Sequence, residues 1–79
     1  MITIPSFVYE GLQRRIKRIQ EDANITKDDA VKMIKASTKE ANQKLYKMWQ
    51  EMEIDAATYS EFCSLNMRLE QKALEEMSL

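Results

Sequence analysis

The spacing of apolar residues along the chain predicts three α-helices. In residues 6–23 the apolar side chains are three or four positions apart, which places them on one helical face. They are Val8, Leu12, Ile16, Ile19 and Ala23. In residues 27–53 the steps between seam residues alternate between three and four positions for three heptads, which is typical of a helix that packs along one seam. The seam residues are Val31, Ile34, Thr38, Ala41, Leu45, Met48 and Met52.

A third helix is predicted over residues 56–77, and a short extended arm over residues 1–5, "MITIP". Thr26 and Asp55 are the expected N-caps of the second and third helices, because their side chains can accept hydrogen bonds from the first turn. The third helix carries an apolar stripe widened by flanking residues: Tyr59, Phe62, Asn66, Leu69, Ala73 and Met77. Three helices cover so wide a stripe poorly, so we expect oligomerisation to complete the helical bundle.

Composition supports one all-α domain over residues 1–79. A single Gly and a single Pro leave little material for hairpins or long loops. The chain has a net charge of −1 and an isoelectric point near 5.4, whereas nucleic-acid-binding domains are usually basic. Nucleic acid is therefore a less favoured partner than protein.

The available side chains disfavour an enzyme. The chain has no His and one cysteine, Cys63, so the usual zinc sites and an activated thiol nucleophile cannot be assembled. No cofactor or metal is expected, and Cys63 is interpreted as a small buried apolar residue. A lone cysteine also favours a reducing, cytoplasmic environment. The absence of a signal pattern and of an apolar run of ~20 residues predicts no membrane association.

The run "LQRRIKRIQ" at residues 12–20 is either a phosphate-binding surface or the solvated face of a helix. Three of its four basic residues have a carboxylate one helical turn away, which favours the solvated face. Arg15 has none. In the second helix, Lys35 and Lys39 also lack such a carboxylate.

Aromatic residues beside the seam indicate a contact surface for another protein, because Trp and Tyr are enriched at binding hot spots. Met33 lies off the seam and adds flexible apolar surface. The basic residues without local carboxylates would contact an acidic partner at the rim. The predicted partner-binding residues are Trp49, Tyr46, Met33, Arg15, Lys35 and Lys39.

A homodimer or higher oligomer is expected to form through the second and third helices. Its predicted interface residues are Leu45, Met48, Met52, Phe62, Asn66 and Leu69. Asn66 has two interpretations, because a polar residue in an apolar stripe either sets the register of an oligomer or lies at a wet edge. We favour the wet edge, which requires only a slight rotation of the helix.

The first half of the chain resembles the ribbon–helix–helix family of DNA-binding proteins. "MITIP" corresponds to the strand, "VYEGLQRRI" to the first helix and "ANITKDDAVKMI" to the turn and second helix. The resemblance implies that Thr3 contacts bases and that the amides beside Thr26 hold a phosphate.

The sequence thus predicts a small, non-enzymatic, cytoplasmic module that binds another protein, with a transcription regulator as one candidate. By analogy, such chains act as regulators or inhibitors by occupying a partner, in the manner of an antirepressor or a phage inhibitor. The alternative is a ribbon–helix–helix-like transcriptional regulator that binds DNA.

Overall fold

The computed structural model describes residues 4–79, which form three helices and no strand. The helices are α1 (Ser6–Glu21), α2 (Lys27–Gln50) and α3 (Ala56–Glu76). The prediction of an all-α chain is confirmed. α2 packs against both other helices, and α1 and α3 contact each other least. None of the helices in this part of the chain combines the length and apolar character needed to cross a membrane.

Both predicted N-caps are present, and each fixes the start of its helix. The Thr26 hydroxyl accepts a hydrogen bond from the Asp29 amide at 3.1 Å. An Asp55 carboxylate oxygen accepts one from the Thr58 amide at 2.7 Å. Each side chain satisfies an amide that has no partner inside the helix.

The helices end earlier than the apolar spacing predicts. α1 stops at Glu21, because Asp22 leaves the helical conformation and its carboxylate accepts a hydrogen bond from the Asn24 amide at 2.9 Å. Ala23, predicted for the buried face, is exposed. α2 stops at Gln50 because Met52 adopts a left-handed conformation with φ 62°.

The end of α2 is a Schellman motif. The Met52 amide donates to the Trp49 carbonyl at 3.1 Å, and the Glu53 amide donates to the Met48 carbonyl at 2.9 Å. This geometry turns Met52 out of the predicted seam and leaves it 91% exposed.

The core forms within one chain as two adjacent clusters. The first contains Ile4, Val8, Ala41, Leu45 and Phe62; the second contains Leu12, Ile34 and Ala73. Leu45 and Phe62, predicted for an oligomer interface, are therefore fully buried between helices of the same chain and present no surface to a second copy.

Asn66 is buried as well, so the preferred wet-edge interpretation is wrong. Its Nδ2 atom donates hydrogen bonds to the Thr38 carbonyl at 3.0 Å and to Asn42 Oδ1 at 2.9 Å. Asn66 sets the position of α3 on α2 within the chain, and it is only 4% exposed to any partner.

The seam of α2 is rotated from its predicted position because this helix contacts neighbours on two sides. Its buried residues are Ala30, Ile34, Ser37, Ala41 and Leu45. The buried Ser37 faces Gly11 of α1, and a Cβ at Gly11 would lie 3.8 Å from the serine Oγ. Gly11 therefore faces α2.

Residues 1–3 lie outside the described residues, so the predicted base contact of Thr3 falls outside them too. Ile4 and Pro5 follow in non-helical backbone before α1. Ile4 is 6% exposed and packs in the first core cluster.

Candidate functional site

Three aromatic rings pack together where α2 ends and α3 begins, with the exposed Met52 nearby; two of the rings are exposed and that of Tyr59 is half-buried. We call Tyr46, Trp49, Met52 and Tyr59 the aromatic surface. Trp49 stacks on Tyr59 with ring centroids 4.9 Å apart and planes 17° from parallel. Tyr46 meets both rings edge-on, at 5.8 Å from Trp49 and 6.1 Å from Tyr59.

The local sequence accounts for this arrangement. Tyr46 and Trp49 are three positions apart, so they project from the same face of the last turns of α2. The Asp55 cap starts α3 early enough to place Tyr59 in its first turn, against Trp49. The rings therefore hold each other in place while Trp49 remains 39% exposed and Tyr46 45% exposed.

Met52 adds an unusual backbone to this surface. Left-handed backbone costs a residue with a side chain about 1 kcal/mol and is normally occupied by Gly at a helix end. Met52 takes this conformation and exposes nearly its whole side chain. The exposed Met52 side chain therefore enlarges the apolar area beside Trp49.

Hydrogen bonding with Cys63 raises the pKa of Tyr59 above its ordinary value of 10.0, and burial and the nearby Tyr46 raise it further. The Tyr59 hydroxyl is therefore uncharged at neutral pH. Cys63 itself is half-buried and packs against the first core cluster.

A groove between α2 and α3 continues from the aromatic surface along α2. We call it the α2–α3 groove; its volume is about 640 Å³. It is lined by Lys35, Thr38, Lys39, Asn42, Gln43, Tyr46, Tyr59 and Glu70. Within residues 4–79 neither lysine forms an ion pair. The groove thus offers free ammonium groups at one end and aromatic rings at the other.

A second groove lies between α1 and α2 and is basic. We call it the arginine groove; it is lined by Gly11, Arg14, Arg15, Arg18, Met33, Ala36 and Glu40. Arg15 donates to Glu40 at 2.6 Å, and its side chain is only 25% exposed. The predicted absence of a carboxylate partner for Arg15 is therefore wrong, since its partner lies on another helix.

The ion pairs expected for the other basic residues of α1 do not form in the described residues. Among residues 4–79 the structure contains two ion pairs, Arg15–Glu40 and a long Lys47–Glu51 contact of 3.9 Å. Arg14 and Arg18 have no carboxylate within ion-pair distance in this part of the chain. Lys44 Nζ lies over the Phe7 ring, 5.3 Å from its centroid.

The structure divides the predicted partner-binding residues between these places. Lys35, Lys39 and Tyr46 line the α2–α3 groove with Trp49 beside it, whereas Arg15 and Met33 line the arginine groove. Of the predicted oligomer residues, Met48 and Leu69 are half-buried against the first core cluster.

Tyr59 was not predicted as a contact residue. Its position in the apolar stripe suggested a buried residue, although its place in the first turn after Asp55 brings it close to the end of α2.

Comparisons of the chain with protein-family models, curated proteins and solved structures give no match, so function is argued from the geometry alone.

Proposed function

We propose that this chain is a non-enzymatic module that binds another protein through the aromatic surface and the α2–α3 groove. The observation that carries the proposal is the Trp49–Tyr59 stack, because it holds a large aromatic face rigid and exposed. Rigid aromatic residues lose little entropy on binding and are the commonest hot spots in protein interfaces.

The charged residues along the α2–α3 groove indicate what kind of partner segment it binds. Lys35 and Lys39 lie one turn apart along the groove and form no ion pair within residues 4–79; against the carboxylate of Glu70 they leave the groove one net positive charge, whereas Tyr46 and Tyr59 make its other end aromatic. An amphipathic segment with carboxylates at one end and apolar side chains at the other matches this gradient. The partner is therefore an acidic protein segment, and binding acts by covering that segment, as a regulator or inhibitor does.

A second copy of this chain fits the surface less well. Leu45 and Phe62, two of the residues predicted for a dimer interface, are already covered by the helices of their own chain. A dimer would also place the unpaired Lys35 and Lys39 of both copies in one interface, and like charges repel there.

The test is affinity capture from an extract of the native organism, followed by titration of the recovered protein against variants. Trp49→Ala should weaken binding about 30-fold or more, the effect of losing a hot-spot residue. Lys35→Glu with Lys39→Glu should weaken it further and reduce its dependence on salt. Tyr9→Ala is the matched control, because Tyr9 is 43% exposed on α1, away from both surfaces.

Three outcomes contradict the proposal. A recovered protein that binds Trp49→Ala as tightly as the natural chain does not use this surface. An equal loss with Tyr9→Ala indicates non-specific adhesion. A concentration-dependent dimer in light scattering that Trp49→Ala dissociates shows that the occupant is a second copy.

A further inference from the structure

We propose that the arginine groove binds the dianionic phosphate of a monoester, a function separate from partner binding at the aromatic surface. Three arginines line this one concavity, and Arg14 and Arg18 have no carboxylate within ion-pair distance in the described part of the chain. Guanidinium groups bind phosphate oxygens through paired, charge-assisted hydrogen bonds.

The charge of the groove matches this group. Three arginines against one glutamate leave two positive charges, in a chain whose overall charge is −1. A phosphate monoester carries about −1.5 to −2 charge at pH 7. The phosphodiesters of nucleic acid carry one negative charge each and are spread along a strand, so a single compact groove suits the monoester better.

The walls of the groove are backbone and apolar side chains. Gly11 has no side chain, and Arg15 packs against its backbone; a Cβ there would lie in van der Waals contact with Arg15 Nη1, at 3.7 Å. Met33 and Ala36 form the opposite, apolar side. Arg14 and Arg18 are exposed, so a phosphate can reach both side chains from solvent.

Glu40 fixes the position of one guanidinium without filling the groove. It binds Arg15 Nη2 at 2.6 Å, while its own side chain remains 57% exposed. The remaining N–H groups of Arg15 are free to bind phosphate together with Arg14 and Arg18.

The experiment is a heteronuclear NMR titration of the full chain with O-phosphoserine and, separately, with inorganic phosphate, at constant ionic strength. Saturable shifts should appear at the amides of Gly11, Arg14, Arg15 and Arg18. Binding of O-phosphoserine should tighten from pH 5 to pH 7.5, because its second pKa is about 6. Stronger binding of O-phosphoserine identifies a phosphorylated side chain as the source, and stronger binding of inorganic phosphate identifies the free ion.

Arg14→Gln and Arg18→Gln should each weaken binding about tenfold, the effect of one charge-assisted contact. Lys17→Gln is the matched control, because Lys17 is an exposed basic residue of α1 outside the groove. This variant should bind O-phosphoserine as tightly as the natural chain does.

The proposal fails if no saturable shift appears by ~50 mM probe, since binding that weak has no affinity beyond simple charge attraction. It also fails if Lys17→Gln weakens binding as much as Arg14→Gln does. A short duplex DNA that binds more tightly than O-phosphoserine, with a steep salt dependence, would identify a polyanion surface instead.

Discussion

Asn66 tests how α3 is held against α2. Its amide donates both hydrogens, to the Thr38 carbonyl and to Asn42 Oδ1, and the residue is 4% exposed. Asn66→Asp preserves the size of the side chain but turns the donor into a buried carboxylate facing two acceptor oxygens. Burying an uncompensated charge costs about 3–5 kcal/mol. We expect a loss of about 3 kcal/mol at pH 7, a large part of the roughly 4–12 kcal/mol typical of a chain this long.

The assay is urea unfolding followed by circular dichroism between pH 7 and pH 4. Burial should raise the pKa of the new carboxyl above its unfolded value, so its destabilising effect should grow as pH rises and shrink as pH falls. Protonation of the new carboxyl at low pH supplies one hydrogen-bond donor, which can satisfy either the Thr38 carbonyl or Asn42 Oδ1.

The control is Asn42→Asp, at the accepting end of the same hydrogen bond. This change retains the acceptor oxygen on a half-buried side chain, so stability should stay within about 0.5 kcal/mol of the natural chain. Equal losses for Asn66→Asp and Asn42→Asp, or a loss at Asn66 that does not vary with pH, would refute the assignment of donor and acceptors.

Two further substitutions test the helix ends. Met52→Gly should raise the free energy of unfolding by about 1 kcal/mol, because Gly adopts φ 62° without strain. The same change should weaken partner binding, since it removes an exposed apolar side chain. Urea unfolding measures the first effect, and titration with the partner measures the second. Hydrogen bonds from Thr58 hold the pKa of Asp55 below its ordinary value of 3.8. The Asp55 carboxylate therefore stabilises the folded chain fully above pH 3.8, and this stabilisation is lost as the pH falls through the folded pKa. The stability difference between the natural chain and Asp55→Asn should therefore narrow between pH 6 and pH 2, and a constant difference would contradict this role of the cap.

The starts of the helices were predictable because capping is local. Thr26 and Asp55 bind amides three residues away, within the same short segment of sequence. The ends of α1 and α2 were not, because apolar spacing continues past them. Asp22 and Met52 end these helices through backbone conformation, which the pattern of apolar residues does not encode.

The electrostatics were less predictable, because neighbours within a helix are only part of each residue's environment. Counting carboxylates one turn away left Arg15 without a partner and gave partners to Arg14 and Arg18. The fold places Glu40, 25 residues distant, beside Arg15, while Arg14 and Arg18 form no ion pair in the described residues. Exposed pairs of the local kind contribute only about 0.3–0.5 kcal/mol, so packing between helices readily overrides them.

The two proposed sites lie on different flanks of α2 and share no residue. Lys35, Lys39 and Tyr46 face the α2–α3 groove, whereas Met33 and Glu40 face the arginine groove. A partner in one groove therefore leaves the other groove open. Binding in one groove would block the other only if it moved α2. The buried Asn66 contacts oppose such a shift, because they join α2 to α3 at the middle of the groove. Phosphate binding and partner binding should thus be energetically independent, as expected for sites with no shared contacts.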